Sequence, residues 1–327
     1  MKKFLFLSIA ATAMLASCTK DEMVEVNPQN AIGFETFVNK STRVTDVTTT
    51  NLEAFWVYGW RTKETTTEQI FNAQAVTANN GTCTYSPLQY WVGGYNYTFE
   101  AIAPQSDNNS VTFNAAKGAS TITFVSDSET DLIYATGSKD LTSTTNLTET
   151  PEAVGLVFNH LLSRVKFSFV NGFPAESDVK LTVTDVKILS AGTTAICTPS
   201  TKTWDAATSS GVVNFASTAV ANIPGEQSAE TEHKYLIPAD IKNYTVSFTV
   251  EMTQGGVTDT FNHTVTLSTE STESTESTDA LVLAAGQSYD LTATLDAQNI
   301  NPDGDLFPIV FTATVTPWGS FTDVTIP

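Results

Sequence analysis

Basic residues, cysteine, histidine and helical periodicity are all scarce in this chain of 327 residues. Lys and Arg number 16 against 35 Asp and Glu, for a formal charge of -19 at pH 7. So acidic a surface repels nucleic acid and anionic headgroups, and no basic stripe with interleaved aromatics interrupts it; nucleic-acid binding is excluded. The 3 histidines, His160, His233 and His263, are isolated, without His-x-x-x-His or Cys-x-x-Cys spacing nearby. No Gly-x-Ser-x-Gly elbow occurs, and no Gly-rich phosphate loop precedes a helix. Carboxylates are so abundant that, without geometry, none is singled out as an acid or base. The sequence therefore assigns no catalytic residue, no cofactor and no metal, and reads as a non-enzyme. Asn301-Pro302-Asp303-Gly304-Asp305 alternates oxygen ligands but lacks the placement of the glycine and terminal glutamate of an EF-hand calcium loop, and is read as a turn. His160, in an apolar stretch, is read as a hydrogen-bonded core histidine.

Long apolar runs are missing after the first residues. The run from Phe4 to Met14 is shorter than the ~20 residues of a spanning helix. It follows Lys2 and Lys3 and leads through small residues into Leu15-Ala16-Ser17-Cys18. A secretory signal ends in small residues but needs no cysteine after them. The arrangement resembles a bacterial lipoprotein signal, which implies cleavage before Cys18 and a lipid on its thiol. Residues 1–17 are then the signal, and 18–30, polar and poor in core residues, a tether. Within it Lys20-Asp21-Glu22 resembles the signal that sends Bacteroidetes lipoproteins to the outer face of the outer membrane. Cys83 and Cys197 remain, and the sequence leaves open whether they pair.

What is plentiful is threonine, about one residue in six, with Phe, Tyr, Val and Ile beside it. These residues favour pleated, half-buried strands, so composition predicts an all-β protein. Strands are expected at Ala31–Val38, Phe55–Trp60, Tyr85–Trp91, Tyr95–Ile102, Thr121–Val125 and Asp131–Ala135, with Gly93-Gly94 as a hairpin turn. Val154 to Val170 suits two strands around His160-Leu161-Leu162-Ser163. Leu181–Ile188, Tyr244–Val250, Phe261–Leu267 and Tyr289–Leu295 alternate apolar with polar. The Ser-Thr-Glu run from Ser268 to Asp279 has no apolar residue and is expected to be solvated. In Ile309–Val315 the residues Ile309, Phe311, Ala313 and Val315 share one apolar face. Such strands must bury their faces against a second layer, so two sandwiches are expected, 31–153 and 154–327, with the polar stretch Gly137 to Pro151 as linker or inter-sheet loop.

Several stretches together resemble the Mfa-like fimbrillins of Bacteroidetes. They are the start at Cys18, Ile32-Gly33-Phe34 running on to Lys40-Ser41-Thr42-Arg43, Leu132-Ile133-Tyr134-Ala135, Leu156-Val157-Phe158-Asn159-His160-Leu161-Leu162-Ser163-Arg164-Val165, Leu283-Ala284-Ala285-Gly286-Gln287-Ser288-Tyr289 and Val315-Thr316-Pro317-Trp318. The resemblance implies two transthyretin-like β-sandwich domains and a cell-surface pilus subunit or accessory adhesin. It also implies a lipidated precursor cut after Arg43, loss of the first strand with Ile32 and Phe34, and a groove filled by the donor face Ile309, Phe311, Ala313 and Val315 of a neighbouring subunit. Such a head-to-tail contact propagates a filament. The residues leave a second reading open: a monomeric surface lipoprotein that binds glycan, with Trp56, Trp60, Trp91 and Tyr95 either stacking on sugar or lying in the core.

Overall fold

The computed structural model describes residues 30–38, 51–105, 110–215, 220–240, 244–267, 282–302 and 308–318. Cys18, Arg43, Lys20-Asp21-Glu22, the Ser268–Asp279 run and Asp303–Asp305 lie outside the described residues.

The chain is all-β, and no α-helix occurs among the described residues. The strands of its first half are β1 (Phe34–Val38), β2 (Ala54–Lys63), β3 (Thr66–Asn79), β4 (Thr82–Thr84), β5 (Asn96–Ala103), β6 (Val111–Asn114), β7 (Thr121–Val125), β8 (Ile133–Asp140) and β9 (Val154–His160). The second half holds β10 (Ser163–Asn171), β11 (Lys180–Thr198), β12 (Thr203–Trp204), β13 (Ser209–Asn214), β14 (Val220–Ile223), β15 (Ser228–Glu230), β16 (Lys234–Leu236), β17 (Thr245–Gln254), β18 (Val257–Thr266), β19 (Gln287–Leu295) and β20 (Phe311–Pro317).

Seven strands close into a barrel in the order β1-β4-β3-β2-β5-β8-β9. Its interior is aromatic, with Phe34, Phe55, Phe71, Trp91, Tyr97, Phe99 and Phe158 all buried there. Gly59 makes this crowding possible: a Cβ there would lie 2.8 Å from the Phe99 ring and 2.9 Å from the Phe71 ring. The second half is a sandwich. One layer runs β15-β10-β19-β20, with β16 also on β10; the other runs β18-β17-β11-β7-β6. Val165, Phe167 and Phe169 of β10 alternate inward to meet Val246, Phe248 and Val250 of β17 across the core. Gly255 and Gly256, at φ 58° and 82°, turn β17 into β18 as the sequence suggests.

The structure moves several boundaries. Tyr85 to Trp91 forms no strand, so Gly93-Gly94 turns into β5 without completing a hairpin. The polar stretch after Gly137 joins β8 to β9, two strands of the same barrel, and links no domains. A boundary after residue 153 would sever β9 from that barrel. In the other direction, β7 leaves the first half to pair with β11 of the sandwich, Ala195 opposite Phe124. Between barrel and sandwich lies a third apolar cluster that includes Tyr58, Trp60, Phe124, Leu161, Leu162 and Tyr235.

Candidate assembly site

β1 is short, and its two edges are held unequally. Along β9 it pairs in parallel over five residues, Phe34 opposite Val154 through Val38 opposite Phe158. Along β4 the register is a single pair, Glu35 opposite Thr82. β9 in turn meets β8 only at its far end, through Ile133 opposite His160 and Tyr134 opposite Asn159. The barrel is thus closed between β4 and β9 by β1 alone.

The segment is anchored by side chains more than by the ladder. Phe34 is 3% exposed, and its ring meets Phe99 at 5.4 Å, Phe71 at 5.6 Å and Tyr85 at 5.8 Å, mostly edge to face. Ile32 is buried beside it. The Tyr85 hydroxyl donates to the Ile32 carbonyl at 2.7 Å, and the Val154 amide donates to the Gly33 carbonyl at 2.8 Å. Removing this segment uncovers aromatic surface and leaves the Val154 amide without its acceptor, while the Tyr85 hydroxyl keeps only its longer bond to the Gln89 carbonyl at 3.3 Å.

Thr36 fits less well. It is fully buried, and its hydroxyl has no hydrogen bond by geometry, although it approaches Cys83 on β4 closely enough to pull the thiol's pKa down slightly. Burial dominates at Cys83 and pushes its pKa up to about 11. Cys83 and Cys197 are both free thiols, which answers the question of their pairing.

β20 is the terminal strand of its layer, paired antiparallel with β19 from Ala293 opposite Phe311 to Gln287 opposite Pro317. The sequence places Ile309, Phe311, Ala313 and Val315 on one apolar face, and the structure divides them. Ile309 and Phe311 are in the core, with the Phe311 ring 5.4 Å from Phe167 and 6.1 Å from Phe248. Ala313 is exposed and Val315 is 44% exposed. Half of a strand with an apolar face is therefore uncovered at a sheet edge, an arrangement that invites pairing with another chain.

Just beyond β20, Trp318 is buried again. Its indole stacks on the His160 ring at 4.2 Å and on the Tyr235 ring at 5.4 Å, with the Arg164 guanidinium 5.3 Å from its ring centre. His160 Nδ1 donates to Asp131 Oδ2 at 2.7 Å inside this seat, the buried hydrogen-bonded histidine that the sequence suggests. Backbone bonds complete it: Trp318 donates to Gly286 at 2.8 Å, Gly286 to Leu162 at 2.9 Å and Leu161 to Leu132 at 2.9 Å. Four separated sequence stretches, around Leu132, His160, Gly286 and Trp318, thus converge on one point. Sequence reasoning identified each stretch and missed the convergence, because nothing local encodes it.

The tryptophan platform is not formed. Trp60 and Trp91 are 6% and 3% exposed, and Trp91 packs inside the barrel against Tyr97 at 4.7 Å. Among the described residues no group of three His, Cys, Asp or Glu side chains could hold a metal ion.

Among the described residues the chain is thus all-β, with β1 closing the barrel and β20 a half-covered sheet edge. The family model for fimbrillin-like proteins matches residues 42–318, and the chain belongs to that family. It is 26% identical over 299 residues to the fimbrium subunit Fim1C of Phocaeicola vulgatus, covering 74% of this chain and 78% of that protein. Among solved structures, a candidate cell adhesion protein from Bacteroides ovatus superposes with a TM-score of 0.50 at 12% identity, over 89% of this chain and 99% of that one. Another from Bacteroides uniformis gives 0.48 at 16% identity, over 88% and 99%. At 12% identity the Bacteroides ovatus likeness speaks to the fold alone.

Proposed function

We propose that the chain is a non-catalytic fimbrial subunit or accessory adhesin that works at the cell surface by exchanging strands. It is delivered to the outer membrane as a lipoprotein on Cys18. Cleavage after Arg43, in the connection between β1 and β2, removes Cys18 and β1 together. The slot between β4 and β9 then receives the β20 strand of a neighbouring subunit, with Ile309, Phe311, Ala313 and Val315 replacing Ile32, Phe34 and the ill-fitting Thr36. The contact is head-to-tail, so it extends a filament.

The observation that carries this reading is the position of β1. Its loss opens the barrel between β4 and β9, and it lies on the signal side of Arg43. The relationship to a fimbrium subunit supports it. The test is the N-terminal residue of the protein recovered from the cell surface. Val44 without lipid agrees with the proposal, while acylated Cys18 on every recovered molecule refutes it.

A further inference from the structure

A cleft of about 450 Å³ lies on the outer wall of the barrel, where the β6–β7 hairpin leans over β2 and β3. Its polar lining is Tyr58, Gln69, Asn72, Asn114 and Thr121, with Phe113 as the aromatic wall. None of the lining side chains is charged. We propose that this cleft is a binding site for a neutral carbohydrate, a function separate from strand exchange.

Three observations carry the proposal. First, Tyr58 is 5% exposed, lines the cleft, and its hydroxyl has no hydrogen-bond partner among the described residues. The hydroxyl is not sealed from solvent, so a ligand in the cleft can reach it and bond to it. Burial raises the phenol's pKa, so it remains a neutral donor.

Second, the backbone is distorted where it supplies the cleft. Gln69 and Asn72 are three residues apart, and in a regular strand they would face opposite sides. Here Gly59 pairs with Phe71 while Trp60 pairs with Gln69, so β3 carries one extra residue between them. That bulge brings both amides to the same cleft. A second register shift follows, next to Ala73 at φ 50°, a conformation that alanine adopts at a cost.

Third, the chemistry matches one ligand class. Side-chain amides and a phenol provide paired donors and acceptors for vicinal hydroxyls. The Phe113 ring, packed 4.5 Å from that of Tyr58 and half-buried, adds apolar surface to the cleft for the C–H groups of a sugar ring. The absence of a cation in the lining, on a chain as acidic as this one, disfavours an anionic ligand. The volume is within the range of small-ligand sites.

The experiment is saturation-transfer NMR and titration of the full chain with glucose, galactose, mannose, N-acetylglucosamine and lactose, and with N-acetylneuraminic acid and an unstructured neutral peptide as competing classes. At least one neutral sugar is expected to bind with a Kd between about 0.1 and 10 mM. Tyr58→Phe, which removes one oxygen and keeps the packing, is expected to weaken it about fivefold or more, and Asn72→Ala similarly, with unchanged thermal melting. Val212→Ser, on an exposed strand outside the cleft, is expected to leave it unchanged. Failure of every neutral sugar to bind, binding insensitive to both cleft substitutions, or tighter binding of the acid or the peptide would each overturn the proposal. Polymerisation is not measured in this assay, so its outcome does not depend on the assembly reading.

Discussion

The imidazole of His160 lies flat on the indole of Trp318, ring centroids 4.2 Å apart and planes within 8°. This contact fastens the end of β20 to the junction of β9 and β10, the point where the barrel meets the sandwich. The upper half of β20 is fixed by Phe311 in the core, and its lower half, with Ala313 and Val315 exposed, is held by the β19 ladder and by Trp318. The seat of Trp318 therefore opposes departure of β20, together with Phe311 in the core and the β19 ladder.

Trp318→Ala is expected to cost about 3–5 kcal/mol of local stability, as large aromatic deletions do. Hydrogen exchange should accelerate across the β19–β20 pairs, Gln287 to Ala293, while the barrel amides of β2 and β5 keep their protection. Trp318→Phe should restore much of the loss. Unchanged exchange in the alanine variant would remove the seat's role.

Phe34→Ala should destabilise the uncut protein by about 3–5 kcal/mol, because the ring fills a site among Phe71, Tyr85 and Phe99. After cleavage at Arg43 the same substitution should have no effect, since residue 34 has left. Thermal melting before and after protease treatment checks both halves. Equal destabilisation in the two forms would mean that β1 is retained.

The thiols report the state of the slot. Cys83 and Cys197 are pushed up to about 11 and about 12 by burial, so both should react slowly with an alkylating reagent near pH 8. Loss of β1 should speed labelling of Cys83, which lies beside Thr36, and leave Cys197 slow. Rapid labelling of Cys83 in the uncut protein, or no change on cleavage, would contradict the position assigned to β1.

His263 introduces a pH dependence. Burial lowers its pKa, with a hydrogen bond to the Ile300 backbone acting the other way, and its Nε2 has no partner. The unfolded chain then binds the proton more readily than the folded one. Stability from this residue falls as pH drops below the ordinary histidine value of about 6.5 and levels off below the depressed native value. His263→Phe, which keeps a ring against Phe248, should flatten that slope in urea titrations between about pH 7 and 5. An unchanged slope would show that other groups set it.

β17 and β19 were legible because alternation survives in Tyr244–Val250 and Tyr289–Leu295; β10 is buried on both faces, yet Val165-Lys166-Phe167 still alternates in residue type. β3 was not. Most of its residues are exposed, and two bulges break its period, so Thr66–Asn79 carries no two-residue signal. Barrel closure was also hidden, because the pairing of Phe34 with Val154 joins residues far apart in sequence. The division of the β20 face has the same origin. Sequence shows that Phe311 and Val315 point the same way, but only the packing of β17 shows that Phe311 alone is covered. The sugar cleft had no sequence signal, since it depends on a bulge and on a hydroxyl without a partner.

The central claim is that loss of β1 opens a slot which another copy's β20 fills. The most direct measurement is to treat the purified precursor with an arginine-specific protease and run it unheated on a denaturing gel, beside Arg43→Ala as control. Cleavage after Arg43 is expected to produce a ladder of multimers that collapses to monomer on heating, with no ladder from the variant. Complete trimming at Arg43 with a monomer under every condition would contradict the account.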